Sequence, residues 1–96
     1  MYLRKDVENT FRVGKVYDLA GHLIVSGVVV SGKVSQGAIC RINGKVSVVE
    51  RIEVDGAPID YLLQDEEGDV ILYGKDLVKE DVKPGQVLYF ENPKTD

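Results

Sequence analysis

No stretch of ten residues in this chain carries an apolar repeat at every third or fourth position, so the sequence offers no amphipathic helix from which to build a helical or α/β fold. It carries instead short runs rich in β-branched and aromatic residues, cut at regular spacing by glycine-containing turns. Phe11 to Tyr17 alternates through Phe11, Val13 and Lys15 and reads as a strand. Asp18 to Gly21 reads as a turn. Leu23 to Ser31 reads as a long strand, with Leu23, Val25, Val28 and Val30 facing a core and Gly27 marking a bulge or bend inside it. Gly32 and Gly37 punctuate a loop, and Ile39 to Ile42 is a short strand. Asn43-Gly44 then gives the strongest short hairpin signal, because both central positions of a type I′ turn need positive φ. Lys45 to Val54 returns, and Asp55-Gly56 turns again. Ala57 to Leu63 is ambiguous, Glu67-Gly68 is a turn, and Val70 to Tyr73 is a strand. The polar segment from Lys75 to Lys83 closes on Pro84-Gly85, before a last strand from Val87 to Phe90.

About six short strands with regular turns point to a small antiparallel barrel or sandwich. The expected core includes Val28, Val30, Ile42, Val70 and Val87. At 96 residues the chain is long enough for one domain. We expect an N-terminal extension over 1–8, the barrel over 9–90 and a flexible tail over 91–96.

Gly27 to Lys33 reads G-V-V-V-S-G-K and invites comparison with the phosphate-binding loop G-x-x-x-x-G-K-S/T. Such a loop must follow a strand and open a helix whose N-terminal N–H groups face the anion. Three consecutive valines prefer extended backbone. Gly37 arrives too soon for a helix, and Val34 brings no oxygen to magnesium. The residues fit a strand that leads into a glycine turn, so no nucleotide site is expected.

The formal net charge of −4 argues against broad, non-specific binding to phosphate backbones. No apolar run approaches the roughly 20 residues of a membrane span. Met1 to Asp6 lacks the apolar stretch of a secretory signal. A single cysteine, Cys40, allows neither an internal disulfide nor a cysteine zinc cluster. A cytoplasmic location with no membrane partner is the expectation.

Several residues that could carry chemistry have plainer uses. His22, the lone histidine, falls in a turn, where a solvated side chain suits it better than a catalytic base. Cys40 alternates within a strand as a small buried hydrophobe. Parity places Glu50 and Glu53 on opposite faces of their strand. Asp65-Glu66-Glu67 lacks the spacing of a calcium loop. Lys75, Lys79 and Lys83 would share a face if helical, with Asp76, Glu80 and Asp81 neutralising them. No nucleophile, base and orienting group assemble from these residues, so no enzyme, metal or cofactor is expected.

Two segments resemble a known family. Ile24-Val25-Ser26-Gly27-Val28-Val29-Val30-Ser31-Gly32, followed by Val34 to Ile39, is similar to the start of the second-domain β-barrel of translational GTPases of the elongation factor Tu and initiation factor two kind. Leu72-Tyr73-Gly74 and then Lys79 to Leu88 resemble that barrel's closing segment, L-R-G followed by R-E-E/D-I/V-x-x-G-Q-V-L. The likeness spans about residues 9–90. It implies a closed six-stranded antiparallel barrel of the translation-factor domain II type. It also implies partners among tRNA, rRNA and ribosomal or translation proteins. In the tRNA-carrying factors this barrel holds the aminoacylated 3′ end. The apolar adenosine pocket with one acidic residue matches Leu19, Ile24, Glu53 and Ile71 here. Lys79 resembles the basic residue near the 5′ phosphate.

The departures are specific. The acidic pair that helps recognise the amino-acid group falls at Gly14 and Lys15. The pocket asparagine falls near Glu67, and the G-R-G turn becomes Ala20-Gly21-His22. No part of the chain matches a G domain, so no GTP chemistry is expected. Two function classes follow: an RNA- or ribosome-associated binding module, or a protein-interaction adaptor that kept the barrel and lost RNA contact. The resemblance favours the first and the acidic balance the second.

Overall fold

A computed structural model describes residues 8–94 of the chain. Its strands are β1 (Asn9–Leu19), β2 (His22–Ser31), β3 (Lys33–Ser35), β4 (Ile39–Ile42), β5 (Lys45–Val54), β6 (Ala57–Ile59), β7 (Tyr61–Leu63), β8 (Glu67–Tyr73) and β9 (Val87–Glu91), with one 3₁₀ turn at Lys79–Asp81. Six of them, in the order β4-β9-β1-β2-β8-β5, form a ring that closes where β5 pairs with β4. The protein is therefore all-β, with a closed six-stranded antiparallel barrel. β6 adds to β5 outside the ring, and β3 pairs with β7 as a separate ribbon. Closure leaves the six barrel strands no free edge. Most of the expected N-terminal extension lies outside the described residues, as do the last two of the tail.

Three two-residue hairpins drive the folding-back of the chain. Asn43 and Gly44 have φ of 52° and 75°, and Asp55 and Gly56 have 52° and 82°. Both pairs satisfy the positive-φ requirement of a type I′ turn. The third is shorter than Asp18 to Gly21 would suggest. Only Ala20 and Gly21 turn, at 49° and 86°, and Leu19 pairs with His22 across them. Asp18 and Leu19 therefore continue β1, which leaves Leu19 exposed on a strand.

The core contains Phe11, Val25, Val29, Val34, Ile52 and Leu72, all fully buried. Phe11 meets Phe90 edge-on, with centroids 6.3 Å apart. Ile42 and Val70 are buried as expected, but Val28, Val30 and Val87 are not. In β2 the inward set runs Leu23, Val25, Gly27, Val29 without interruption, and Val30 is 39% exposed. Gly27 does not flip the phase of its own strand. It occupies an inward position where a Cβ would meet the Arg12 carbonyl oxygen and the Phe11 ring. The irregularity lies on the facing strand, where Gly14 is the extra residue between the pairs Val13–Gly27 and Lys15–Ser26. A second irregularity leaves Val30 unopposed between Val29 and Ser31. In β9, Leu88 and Phe90 point inward and Val87 outward, because Leu88 pairs with inward-facing Phe11. A run of four apolar residues does not declare its own phase.

Two other segments differ from their sequence reading. Glu67 and Gly68 open β8 opposite Val28 and Gly27. The chain reverses earlier, at Asp65 with φ 71°, where the Glu66 carboxylate accepts the Leu63 N–H at 2.7 Å. Between β8 and β9 the chain forms only the 3₁₀ turn, so Lys75, Lys79 and Lys83 do not share a helical face. Asp81 in that turn accepts Asn43 Nδ2 at 3.0 Å, Lys45 Nζ at 2.7 Å and the Val78 N–H at 3.0 Å. It thereby ties the β4–β5 hairpin to the β8–β9 crossover. At the C-terminal end, Asn92 accepts the Ser35 N–H and donates to the Lys33 carbonyl, each at 3.0 Å. β9 thus runs to Glu91, and Asn92 is hydrogen-bonded to β3.

Lys33 opens β3 rather than a helix, and its ammonium lies 5.5 Å from the centre of the Tyr61 ring. The G-V-V-V-S-G-K string is strand, turn and strand.

Candidate functional site

The outer face of β1, β2, β8 and β5 carries two cross-strand rows. Tyr17 pairs with Ile24, Ile24 with Ile71, and Ile71 with Arg51. Leu19 pairs with His22, whose ring lies 5.6 Å from that of Tyr73. Because side chains alternate along each strand, both rows face the same way. Between them opens a cleft of about 780 Å³ whose lining includes Leu19, Ile24, Glu53 and Ile71. Four residues marked on sequence grounds, from three different strands and the end of a fourth, therefore meet at one place.

The cleft holds more than those four. A bulge in β5 makes Glu50 the extra residue between the pairs Val49–Leu72 and Arg51–Ile71. Val49 and Ile52 both point into the core although three positions separate them. The bulge overturns simple parity: Glu50, Arg51 and Glu53 all line the cleft. The apolar spacing from Val49 to Ile52 was the signal in the sequence for this phase change.

His22 is likewise no solvated turn residue. It opens β2, its side chain is 39% exposed, and its Nε2 lies 2.7 Å from a Glu50 carboxylate oxygen. Its Nδ1 lies 3.3 Å from the Ala20 carbonyl oxygen. Arg51 Nε donates to Glu53 at 2.7 Å, and the Glu53 side chain is only 25% exposed. Gln36 donates from its side chain to the Glu50 carbonyl at 3.1 Å, holding the bulge against the loop before β4.

Chemically, the cleft offers an apolar floor of Ile24 and Ile71, a Leu19 rim that is 61% exposed, and two carboxylates beside it. Such a site can take a flat, largely apolar ring on its floor and accept hydrogen bonds from that ring's polar edge. Among the described residues, no group of three His, Cys, Asp or Glu side chains is placed to hold a metal ion. Among the described residues, no helix is long and apolar enough to cross a membrane.

Lys79 stands apart from this cleft. It lines a second groove with Lys15, Tyr17 and Lys83, between the β1 bulge at Gly14 and the β8–β9 crossover. Cys40 is buried in the core, where desolvation pushes its thiol up to about 11 against a smaller lowering by the Tyr89 backbone.

The chain matches no protein-family model and no curated protein.

Proposed function

We propose that the protein is a non-enzymatic binding module, related to the second-domain barrel of translational GTPases, that holds an adenosine-like end of an RNA. One observation carries this: Leu19, Ile24, Glu53 and Ile71, chosen for their likeness to an adenosine pocket, line a single cleft. Apolar walls with the Glu50 and Glu53 carboxylates at the edge suit the amino group of a purine. Burying one base on this aliphatic floor contributes about 1.5–3 kcal/mol, as for an apolar side chain, so a single base alone binds weakly. Gly14 and Lys15 stand where the family places acids that read the amino-acid group. Binding should therefore ignore aminoacylation.

The test is an anisotropy titration of the protein with aminoacylated and deacylated tRNA at two salt concentrations. Both forms should bind alike. Glu53→Ala should weaken binding without changing its salt dependence, because the carboxylate contacts a base and not a phosphate. A clear preference for aminoacyl-tRNA would refute the pocket assignment.

A second reading, a protein-interaction adaptor, is favoured by a different face. Ile39, Val46, Val87 and Tyr89 are exposed on the outer sides of β4, β5 and β9, on a protein of net charge −4. Co-purification from lysate with and without nuclease separates the two. Partners that survive nuclease and vanish in Val46→Asp support the adaptor.

A further inference from the structure

The outward face of β4, with the parts of β5 and β9 that flank it, is apolar on a side of the barrel that the cleft does not use. Ile39, Val46, Val87 and Tyr89 are between 37% and 60% exposed there. The register joins them into one patch. Ile39 pairs with Val48 on one side and with Glu91 on the other, and Arg41 pairs with Val46. Side chains alternate along each strand, so Ile39 and Arg41 of β4 share this face with Tyr89 and Glu91 of β9. Contiguous exposed apolar side chains with a polar rim mark a surface that another macromolecule covers, and exposed tyrosine suits such a contact.

The charges on the patch say what covers it. Arg41 Nη1 lies 3.7 Å from a Glu91 carboxylate oxygen, with the two side chains 68% and 76% exposed. An ion pair so open to water contributes little within one chain. Arg12, beside Val87, stands at the rim. On a protein of net charge −4, a strongly basic partner is drawn to the acidic surface elsewhere, and a strongly acidic one is repelled. An apolar patch that carries an arginine beside a glutamate is matched by the same patch turned over. A two-fold axis lying in the interface between these residues sets Arg41 of each copy against Glu91 of the other. Closure leaves the six barrel strands no free edge to pair with a neighbour, so two copies must meet face to face, as packed sheets do.

We infer that this face joins two copies of the chain into an isologous dimer, with the outward side chains of β4, β5 and β9 packed about a two-fold axis and Arg41 and Glu91 paired between copies. The inference does not rest on the base-binding reading, since none of the patch residues lines the cleft. It gives the face a second copy in place of the foreign partner of an adaptor. A patch three strands wide is small for an interface, so the dimer should form between micromolar and millimolar concentration.

The experiment is sedimentation velocity of the purified full chain across that range, with three variants at exposed positions. The parent should pass from monomer to dimer, and Val46→Asp should stay monomeric. Arg41→Glu leaves two acids on the face, and Glu91→Arg sets two arginines there in their place. Each alone should dimerise at least about tenfold more weakly than the parent, because like charges meet across the axis. An equimolar mixture of these two variants should recover the dimer, since every glutamate then faces an arginine. Melting temperatures equal to the parent's separate lost pairing from lost folding. A parent that stays monomeric at millimolar concentration refutes the dimer and leaves the face to a foreign partner. A dimer that survives all three substitutions uses another face and refutes the assignment. A mixture no more associated than its two components refutes the pairing of Arg41 with Glu91 across a two-fold axis.

Discussion

Gly27→Ala should destabilise the barrel severely, although Gly27 sits at neither a turn nor a positive φ. A Cβ built there lies 2.1 Å from the Arg12 carbonyl oxygen and 2.8 Å and 3.0 Å from two carbons of the Phe11 ring. Ordinary contact begins near 3.4 Å, so the carbonyl is more than an ångström too close. That carbonyl belongs to β1, which pairs with β2 on one side and β9 on the other, so it cannot retreat without disturbing two ladders. The Phe11 ring is fully buried and wedged against Phe90. Overpacking of this kind costs about 1–3 kcal/mol, and the two rigid neighbours put this site at the upper end. At roughly 4–8 °C per kcal/mol for a domain of this size, the melting temperature should fall by about 12–24 °C. Gly44→Ala is the control. Gly44 has φ of +75° with nothing within 4 Å of the added atom, so only the backbone conformation resists. Its cost is about 1–2 kcal/mol, a fall of roughly 4–16 °C. Thermal and guanidinium melts followed by circular dichroism measure both. A Gly27→Ala melting temperature equal to the parent's, or higher than that of Gly44→Ala, would refute the packing given for Phe11.

Val29→Asp should prevent folding, because it places an unpaired charge in the core, while Val30→Asp should stay folded and shift stability by only about 0.5 kcal/mol; soluble yield and melts of the two variants decide the phase of β2. The hydrogen bond from Lys45, followed by those from Val78 N–H and Asn43, lowers the Asp81 carboxyl to about 2. Its folded value lies below the ordinary one near 3.8, so its stabilisation is complete above pH 4 and drains away as the pH falls towards 2. Asp81→Asn should lower the melting temperature at pH 7 and flatten its pH dependence in that window; identical acid curves would show that the clamp carries no stability. The Cys40 thiol is raised, so the native state holds its proton longer than the unfolded chain, and stability should drop as pH climbs from about 9 towards 11. At pH 8 a thiol reagent should label Cys40 only after unfolding, and rapid labelling of the native protein would contradict its burial. Magnesium ATP or GTP should not bind at Lys33; saturable binding lost in Lys33→Ala would show a phosphate site where β3 begins.

The all-β class and the Asn43-Gly44 and Asp55-Gly56 hairpins were legible in the sequence because they depend on local preferences. Glycine at positive φ and valine in extended backbone need no distant neighbour to explain them. The burial of Ile42 and Val70 followed from alternation for the same reason. The residues of the cleft were named through a resemblance, but their meeting depends on register. Ile24 reaches Ile71 only because β2 pairs with β8, 47 positions later in the chain. Tertiary structure alone decided that Val29, and not Val28 or Val30, faces the core, since the inward alternation from Leu23 runs on through Gly27 and the extra residue opposite it is Gly14 on the neighbouring strand. It also decided that Glu50 joins Glu53 in the cleft, because the β5 bulge appears only against β8. The lysine groove was hidden most deeply. In sequence, Asp81 stands among the lysines and cancels them. In the fold its carboxylate turns to Lys45 and Asn43 on another hairpin, and the charge balance of a linear segment says nothing of which partner each charge will find in space.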